Sequence, residues 1–211
     1  YNNACKLAKE CGVILKEIRI ENSVRSHFFD IGQDEKKHDV TYENCQARER
    51  TQVLMDYANK TGGIVVGTGD LSELALGWCT YNGDHMSMYG VNSSVPKTLV
   101  RYLVELFAEQ ALSEGRKEYS DVLFDILDSP VSPELIPPAD GKISQITEDL
   151  VGPYELHDFY LYYLLRFGFS PSKIYFLARN SELAKKYDAD FMKKWLSQMN
   201  CPRPVSLALL N

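Results

Sequence analysis

Apolar residues recur along this chain at two spacings, and the switching between them predicts an α/β protein. Asn2 to Cys11 reads as the end of a helix that Gly12 stops, and Val13-Ile14-Leu15-Lys16-Glu17-Ile18-Arg19-Ile20 then reads as a buried strand. Asp34-Glu35-Lys36-Lys37-His38-Asp39 is a solvated charged loop. A long helix is predicted from Tyr42 to about Lys60, with Ala47, Leu54, Tyr57 and Ala58 on its apolar side, leading into a strand at Ile64-Val65-Val66. Helix and strand in this order imply αβ units of a parallel sheet.

The second half is more helical. Ser94-Val95-Pro96 opens a helix with Leu99, Leu103, Leu106 and Phe107 on one face, and a shorter helix covers Tyr119 to Leu127. The stretch Asp128 to Pro138 carries too many prolines for regular structure, although its short polar side chains suit ligand contact. Pro153 begins an amphipathic helix in which Leu156, Phe159, Tyr160, Tyr163, Leu164 and Phe167 repeat at helical spacing until Gly168; this pattern reads as packing rather than a cofactor box. Ser170-Pro171 caps a further short helix, and the tail is helical around Phe191 to Met199.

One segment joins the two spacings. Ile64-Val65-Val66 runs into Gly67-Thr68-Gly69-Asp70-Leu71-Ser72-Glu73, a strand followed by a glycine turn that opens a helix. Glycine at 67 and 69 allows unusual backbone angles and close approach of a ligand, and a helix start offers N–H donors to an anion. Asp70 and Glu73 would repel a phosphate by themselves, so a bound nucleotide calls for a divalent cation between them. The competing reading is that Asp70 is an N-cap and Glu73 its capping-box partner. The segment is not a dinucleotide fingerprint, because Ser72 stands where G-x-G-x-x-G needs its third glycine.

Charge narrows the partners. With 29 acidic and 23 basic residues among 211, the net charge of -6 opposes general attraction to nucleic acid or an anionic membrane. The longest apolar run, Phe159 to Leu165, falls far short of the about 18 residues that span a bilayer. Cys5, Cys11, Cys45, Cys79 and Cys201 are odd in number and form no C-x-x-C pair, which points to a reducing cytoplasm. Tyr1-Asn2-Asn3 does not resemble a signal peptide, and the abrupt helical start without methionine predicts a larger protein.

Among the remaining polar residues, Asn44 and Arg48 lie one turn apart on the long helix and suit either a phosphate or ribose grip or a solvated face. Lys97 sits in the first turn of its helix, where a cation is unfavourable by about 0.3–1 kcal/mol unless an anion is near. A phosphate at about 4 Å returns on the order of 1–4 kcal/mol. His27, His38, His85 and His157 show no metal-ligand spacing, and only His85, after Gly83-Asp84, lies close to the glycine-turn helix. No G-x-S-x-G elbow, H-E-x-x-H or Walker loop occurs.

Six blocks, in order, carry a more specific signal. They are Thr41-Tyr42-Glu43-Asn44 with Gln46 to Arg50, Gly67 to Trp78, Asn82 to Met86, Val95 to Thr98, Ser132 to Leu135, and Thr147-Glu148-Asp149 with Gly152 to Phe159. Together they closely resemble the synthetase domain of glutamine-dependent NAD synthetases, over roughly Tyr1 to Leu177. The resemblance implies an N-type ATP pyrophosphatase: a Rossmann-like adenine nucleotide alpha hydrolase fold, a parallel sheet flanked by helices, with a helical C-terminal part. It implies NAD biosynthesis by ATP-dependent amidation of deamido-NAD through an NAD-adenylate, with magnesium and with ammonia from glutamine hydrolysis.

Carried over by motif, the resemblance implies that Thr68, Lys97 and Ser132 contact ATP, and that Glu73 is linked to magnesium. Asn44, Arg48, Glu73, Trp78, Cys79, Thr80 and Tyr81 fall on the deamido-NAD surface, with Trp78 or Tyr81 lining the nicotinate pocket. The family's Ser-Gly-Gly-x-Asp-Ser loop does not occur in this sequence, nor does the Glu-Lys-Cys triad of its glutaminase domain. The expectation is therefore a C-terminal portion of a cytoplasmic, homodimeric or larger NAD synthetase, residues 1–211, with 178–211 a helical tail. Its N-terminal strand and phosphate loop are missing, and alone it is inactive. The alternative is a non-catalytic nucleotide-binding module of the same fold.

Overall fold

A computed structural model describes residues 1–83, 85–129, 148 and 151–200 of the chain. Helices dominate it: α1 (Asn2–Glu10), α2 (Glu21–Ile31), α3 (Val40–Thr61), α4 (Leu71–Leu76), α5 (Lys97–Ser113), α6 (Lys117–Asp128), α7 (Tyr154–Phe167), α8 (Pro171–Arg179), a 3-10 turn at Glu182–Lys185, and α9 (Ala189–Asn200). Two short strands, β1 (Val66–Gly67) and β2 (Tyr89–Gly90), pair in parallel with Val66 opposite Tyr89 and Gly67 opposite Gly90. Parallel pairing requires a crossover, and α4 lies within it. The protein is thus an α/β molecule with a small parallel sheet.

Helix ends are local chemistry, and the sequence marks those at Asp70, Gly168 and Ser170; it does not mark α2 or the ends at Asp39, Gly62 and Gly77. Asp39 accepts hydrogen bonds from the Thr41 and Tyr42 N–H groups and starts α3, while Gly62 ends it at φ 68°. Gly77 at φ 66° and Gly168 at φ 62° end α4 and α7 in the same left-handed way. Ser170 caps α8 through the Lys173 N–H.

One expectation fails outright. Residues 13–20 form no strand; Ile14 is 97% exposed and Val13, Leu15 and Ile18 are exposed with it. An apolar run becomes a strand only when a neighbouring backbone takes up its N–H and C=O groups. Among the described residues the strand that β1 pairs with is β2, which the sequence pattern did not single out. The face of α5 carrying Leu99, Leu103, Leu106 and Phe107 is likewise exposed, and α5 instead buries the small Ala108 and Ala111.

The principal core lies in the C-terminal half. Leu156 and Tyr160 of α7, Ile174 and Ala178 of α8, Leu183, and Met192, Trp195 and Leu196 of α9 form one buried cluster. Phe159, Tyr163 and Leu164 pack against it, so the α7 aromatics are packing residues, as their spacing indicates. His157 is also in this interior, with its Nε2 2.6 Å from the Val151 carbonyl oxygen. A smaller cluster joins Val24 and Phe28 of α2 to Cys45 of α3.

Candidate functional site

The site is built around the two ends of α4. At its N-terminal end the Asp70 side chain accepts from the Glu73 N–H at 2.9 Å, and Glu73 Oε2 accepts from the Asp70 N–H at 3.1 Å. This is a complete capping box. The two carboxylates do more than cap: Lys97 Nζ stands 2.7 Å from Asp70 Oδ2 and 2.7 Å from Glu73 Oε1. It also lies 5.2 Å from the centre of the Tyr154 ring, a cation–π distance. Burial opposes charge on Lys97, but the hydrogen bonds and charges of Asp70 and Glu73 outweigh it and hold its pKa above the ordinary lysine value. Burial likewise raises the Tyr154 phenol, with Lys97 opposing.

A second network underlies this ion pair. Pro96 precedes α5 and has no side chain able to cap it, so the first N–H groups of α5 need acceptors from elsewhere. The Lys97 N–H donates to Ser72 Oγ at 2.9 Å, and the Thr98 N–H donates to Asp158 Oδ2 at 2.8 Å. The Ser72 hydroxyl in turn donates to Asp158 Oδ1, while the Leu71 N–H donates to the Val95 carbonyl at 3.0 Å. Ser72 and Asp158 are buried, and Asp158 comes from α7, 60 residues along the chain from Thr98. Asp158 and Tyr154 were not singled out from the sequence as site residues. The signal that could have found a partner is Pro96 itself, which opens a helix and cannot cap it.

At the other end of α4, Gly77 turns the chain toward Trp78, Cys79, Thr80 and Tyr81. Asn44 and Arg48 of α3 meet this turn: Thr80 Oγ1 donates to Asn44 Oδ1 at 2.9 Å, and Arg48 Nε donates to the Tyr81 carbonyl at 3.2 Å. His85 adds a contact between Nδ1 and the Thr80 carbonyl at 2.8 Å. Trp78 and Cys79 are half-buried, and the Tyr81 ring is exposed, tilted toward His85 with centroids 6.2 Å apart. Thr68 is exposed on the turn before α4. Ser132 lies outside the described residues.

The glycines of the turn have unequal roles. Neither Gly67 nor Gly69 has positive φ. A Cβ on Gly67 would sit 2.7 Å from Ser87 Cβ, so this position needs glycine to pack against the strand β2 approach; one on Gly69 would meet nothing nearer than 3.8 Å. As for magnesium, no group of three or more acidic, histidine or cysteine side chains able to hold a metal occurs among the described residues. Two carboxylates facing one ammonium nevertheless leave a local excess of negative charge. That donor set fits a magnesium held jointly with substrate phosphates rather than a cage made by protein alone.

The NAD synthase family model matches residues 1–186 of the chain. A glutamine-dependent NAD(+) synthetase from Mycobacterium bovis is 49% identical over 182 residues, covering 84% of this chain and 26% of the relative. That from Mycobacterium leprae is 46% identical over 181 residues, covering 83% and 26%. The chain therefore spans about a quarter of the length of these curated relatives. Among solved structures, a glutamine-dependent NAD(+) synthetase from Cytophaga hutchinsonii shares the fold with a TM-score of 0.64 at 18% identity, over 94% of this chain and 30% of that one. One from Acinetobacter baumannii, in complex with adenosine diphosphate, gives 0.53 at 24% identity over 93% and 31%. The motifs, the family match and the relatives agree: this chain belongs to the NAD synthase family.

Proposed function

We propose that this chain handles ATP and deamido-NAD within a longer glutamine-dependent NAD synthetase, with residues 1–211 a portion of the amidating domain and 178–211 its C-terminal extension, of which 201–211 lie outside the described residues. One observation carries the reading: α4 gathers Asn44, Arg48, Glu73, Thr80, Tyr81 and Lys97, from three separate stretches of sequence, at its two ends. A helix of six residues is about 9 Å long, so an adenylate could reach from one cluster to the other.

In this reaction the nicotinate carboxylate attacks the α-phosphorus of ATP, and the bond to pyrophosphate breaks. Ammonia, released from glutamine elsewhere in the polypeptide, then attacks the activated carbonyl, loses a proton, and expels AMP. Lys97 and Thr68 meet the phosphates, the family motif assigns Ser132 the same contact, and the held positive charge of Lys97 is the electrostatic contribution. Glu73 is the side chain that would hold magnesium, which when bound neutralises phosphate charge. Asn44, Arg48 and Trp78-Cys79-Thr80-Tyr81 receive deamido-NAD, their hydrogen bonds fixing the turn in advance. The setting we propose is a cytoplasmic homo-oligomer.

The test uses the full-length protein that carries this chain, supplied with ATP, magnesium, deamido-NAD and glutamine or ammonia. NAD formation is expected, with Lys97→Met raising the KM for ATP about tenfold or more and Lys97→Arg restoring part of it. Absence of NAD, or a wild-type KM for ATP in a folded Lys97→Met protein, overturns the reading. The 24.0 kDa chain alone is expected to make no NAD.

A further inference from the structure

We infer that Asp158 is a positioning residue for Lys97, acting across the fold from α7 without meeting the substrate; this rests on the reading that Lys97 binds ATP phosphate. Pro96 stands at the N-cap position of α5. A helix start leaves N–H groups without intrahelical acceptors, and a short polar residue normally supplies one from the N-cap position. Proline cannot. In this fold the acceptors arrive from two other helices: Ser72 of α4 takes the Lys97 N–H and Asp158 of α7 takes the Thr98 N–H. Asp158 also accepts from Ser72, so its two oxygens tie the beginnings of α4 and α5 to each other.

The consequence is geometric. Asp70 and Glu73 ride on the start of α4, and Lys97 is the first residue of α5. The place where the ammonium stands is therefore set by the relation between the two helix starts, which Asp158 holds. Its carboxylate is almost fully buried, so water does not substitute readily for the bonds it makes. A carboxylate is also better suited than a neutral group, since the exposed N–H groups of α5 form the positive end of its dipole.

The experiment compares Asp158→Ala, Asp158→Asn and Ser72→Ala in the full-length protein, alone and combined with Lys97→Met. Amide hydrogen exchange reads the cap directly: Lys97 and Thr98 are expected to lose protection about tenfold or more in Asp158→Ala, with the α7–α9 core unchanged. Kinetics read the consequence. The KM for ATP is expected to rise about tenfold in Asp158→Ala and less in Asp158→Asn, which keeps one acceptor, while the KM for ammonia stays within about twofold. In the Lys97→Met background the further effect on ATP should be under about twofold. Ser72→Ala reports the same link from the other side should Asp158→Ala fail to fold. If Lys97→Met raises the KM for ATP and neither Asp158→Asn nor Ser72→Ala does, the inference is overturned while the ATP reading stands. If Lys97→Met leaves that KM unchanged, the ATP reading itself is lost. Unchanged exchange at Lys97 and Thr98 also overturns the inference.

Discussion

Lys97 occupies a position that its own helix would disfavour. An ammonium at a helix start faces the positive end of the dipole, and here Asp70 and Glu73 reverse the balance locally. Its pKa is raised in the folded state, so the stability that the lysine charge contributes is fully present below the ordinary lysine value and is lost as strong alkali removes the proton. Asp39 shows the opposite sign. The Lys37 hydrogen bond and the N–H groups of α3 hold its pKa below 3.8, so its stabilisation is present above that value and fades as pH falls through the lower, folded one. Asp39→Ala is therefore expected to lower the thermal midpoint near neutral pH, with the difference from wild type shrinking in acid. A difference that is equal at both pH values contradicts the capping role. At Gly67 the constraint is steric: Gly67→Ala should disturb the β1–β2 pairing, and adding Ser87→Gly should recover most of the lost midpoint. Failure of that rescue would show that something other than Ser87 restricts the position.

The helices differ in how far their neighbours decide them. The caps at Asp70 and Ser170 and the terminal Gly168 are local chemistry and were legible from residue type and spacing, whereas Asp39, Gly62 and Gly77 obey the same local rules but were not read from the sequence as helix ends. Gly152 belongs to a different class. It has φ 91°, and a Cβ there would lie 2.6 Å from Trp195 Cε3, a ring delivered by α9. Gly152→Ala combines a left-handed penalty with overpacking and is expected to cost about 2–4 kcal/mol in denaturant unfolding. A loss below about 1 kcal/mol would mean that α9 moves away freely. The role of Trp195 was not legible, because nothing near residue 152 announces which helix will cover it.

Across the whole molecule the apolar surface is unevenly shared. The core joins α7, α8 and α9, whereas residues 13–20, both strands and one face of α5 keep large apolar side chains exposed. Ile14, at 97% exposure, contributes little to the fold as it stands. Ile14→Lys in the 211-residue chain should leave stability within about 0.5 kcal/mol of wild type and reduce binding of a hydrophobic dye. A large loss of stability would show that Ile14 is packed in solution.

What the sequence by itself determined is what short-range chemistry controls. It specified most of the helices, though not α2, offered the Asp70–Glu73 capping box as one of two readings of the glycine turn, and carried the family motifs, because each depends on residues within a few positions of one another. The tertiary structure alone decided that 13–20 stays out of a strand, that β1 pairs with β2, and that Asp158 reaches Ser72 and Thr98. Those outcomes depend on which backbone or side chain arrives from far along the chain. An unpaired N–H states that it needs an acceptor; only the fold states which residue answers.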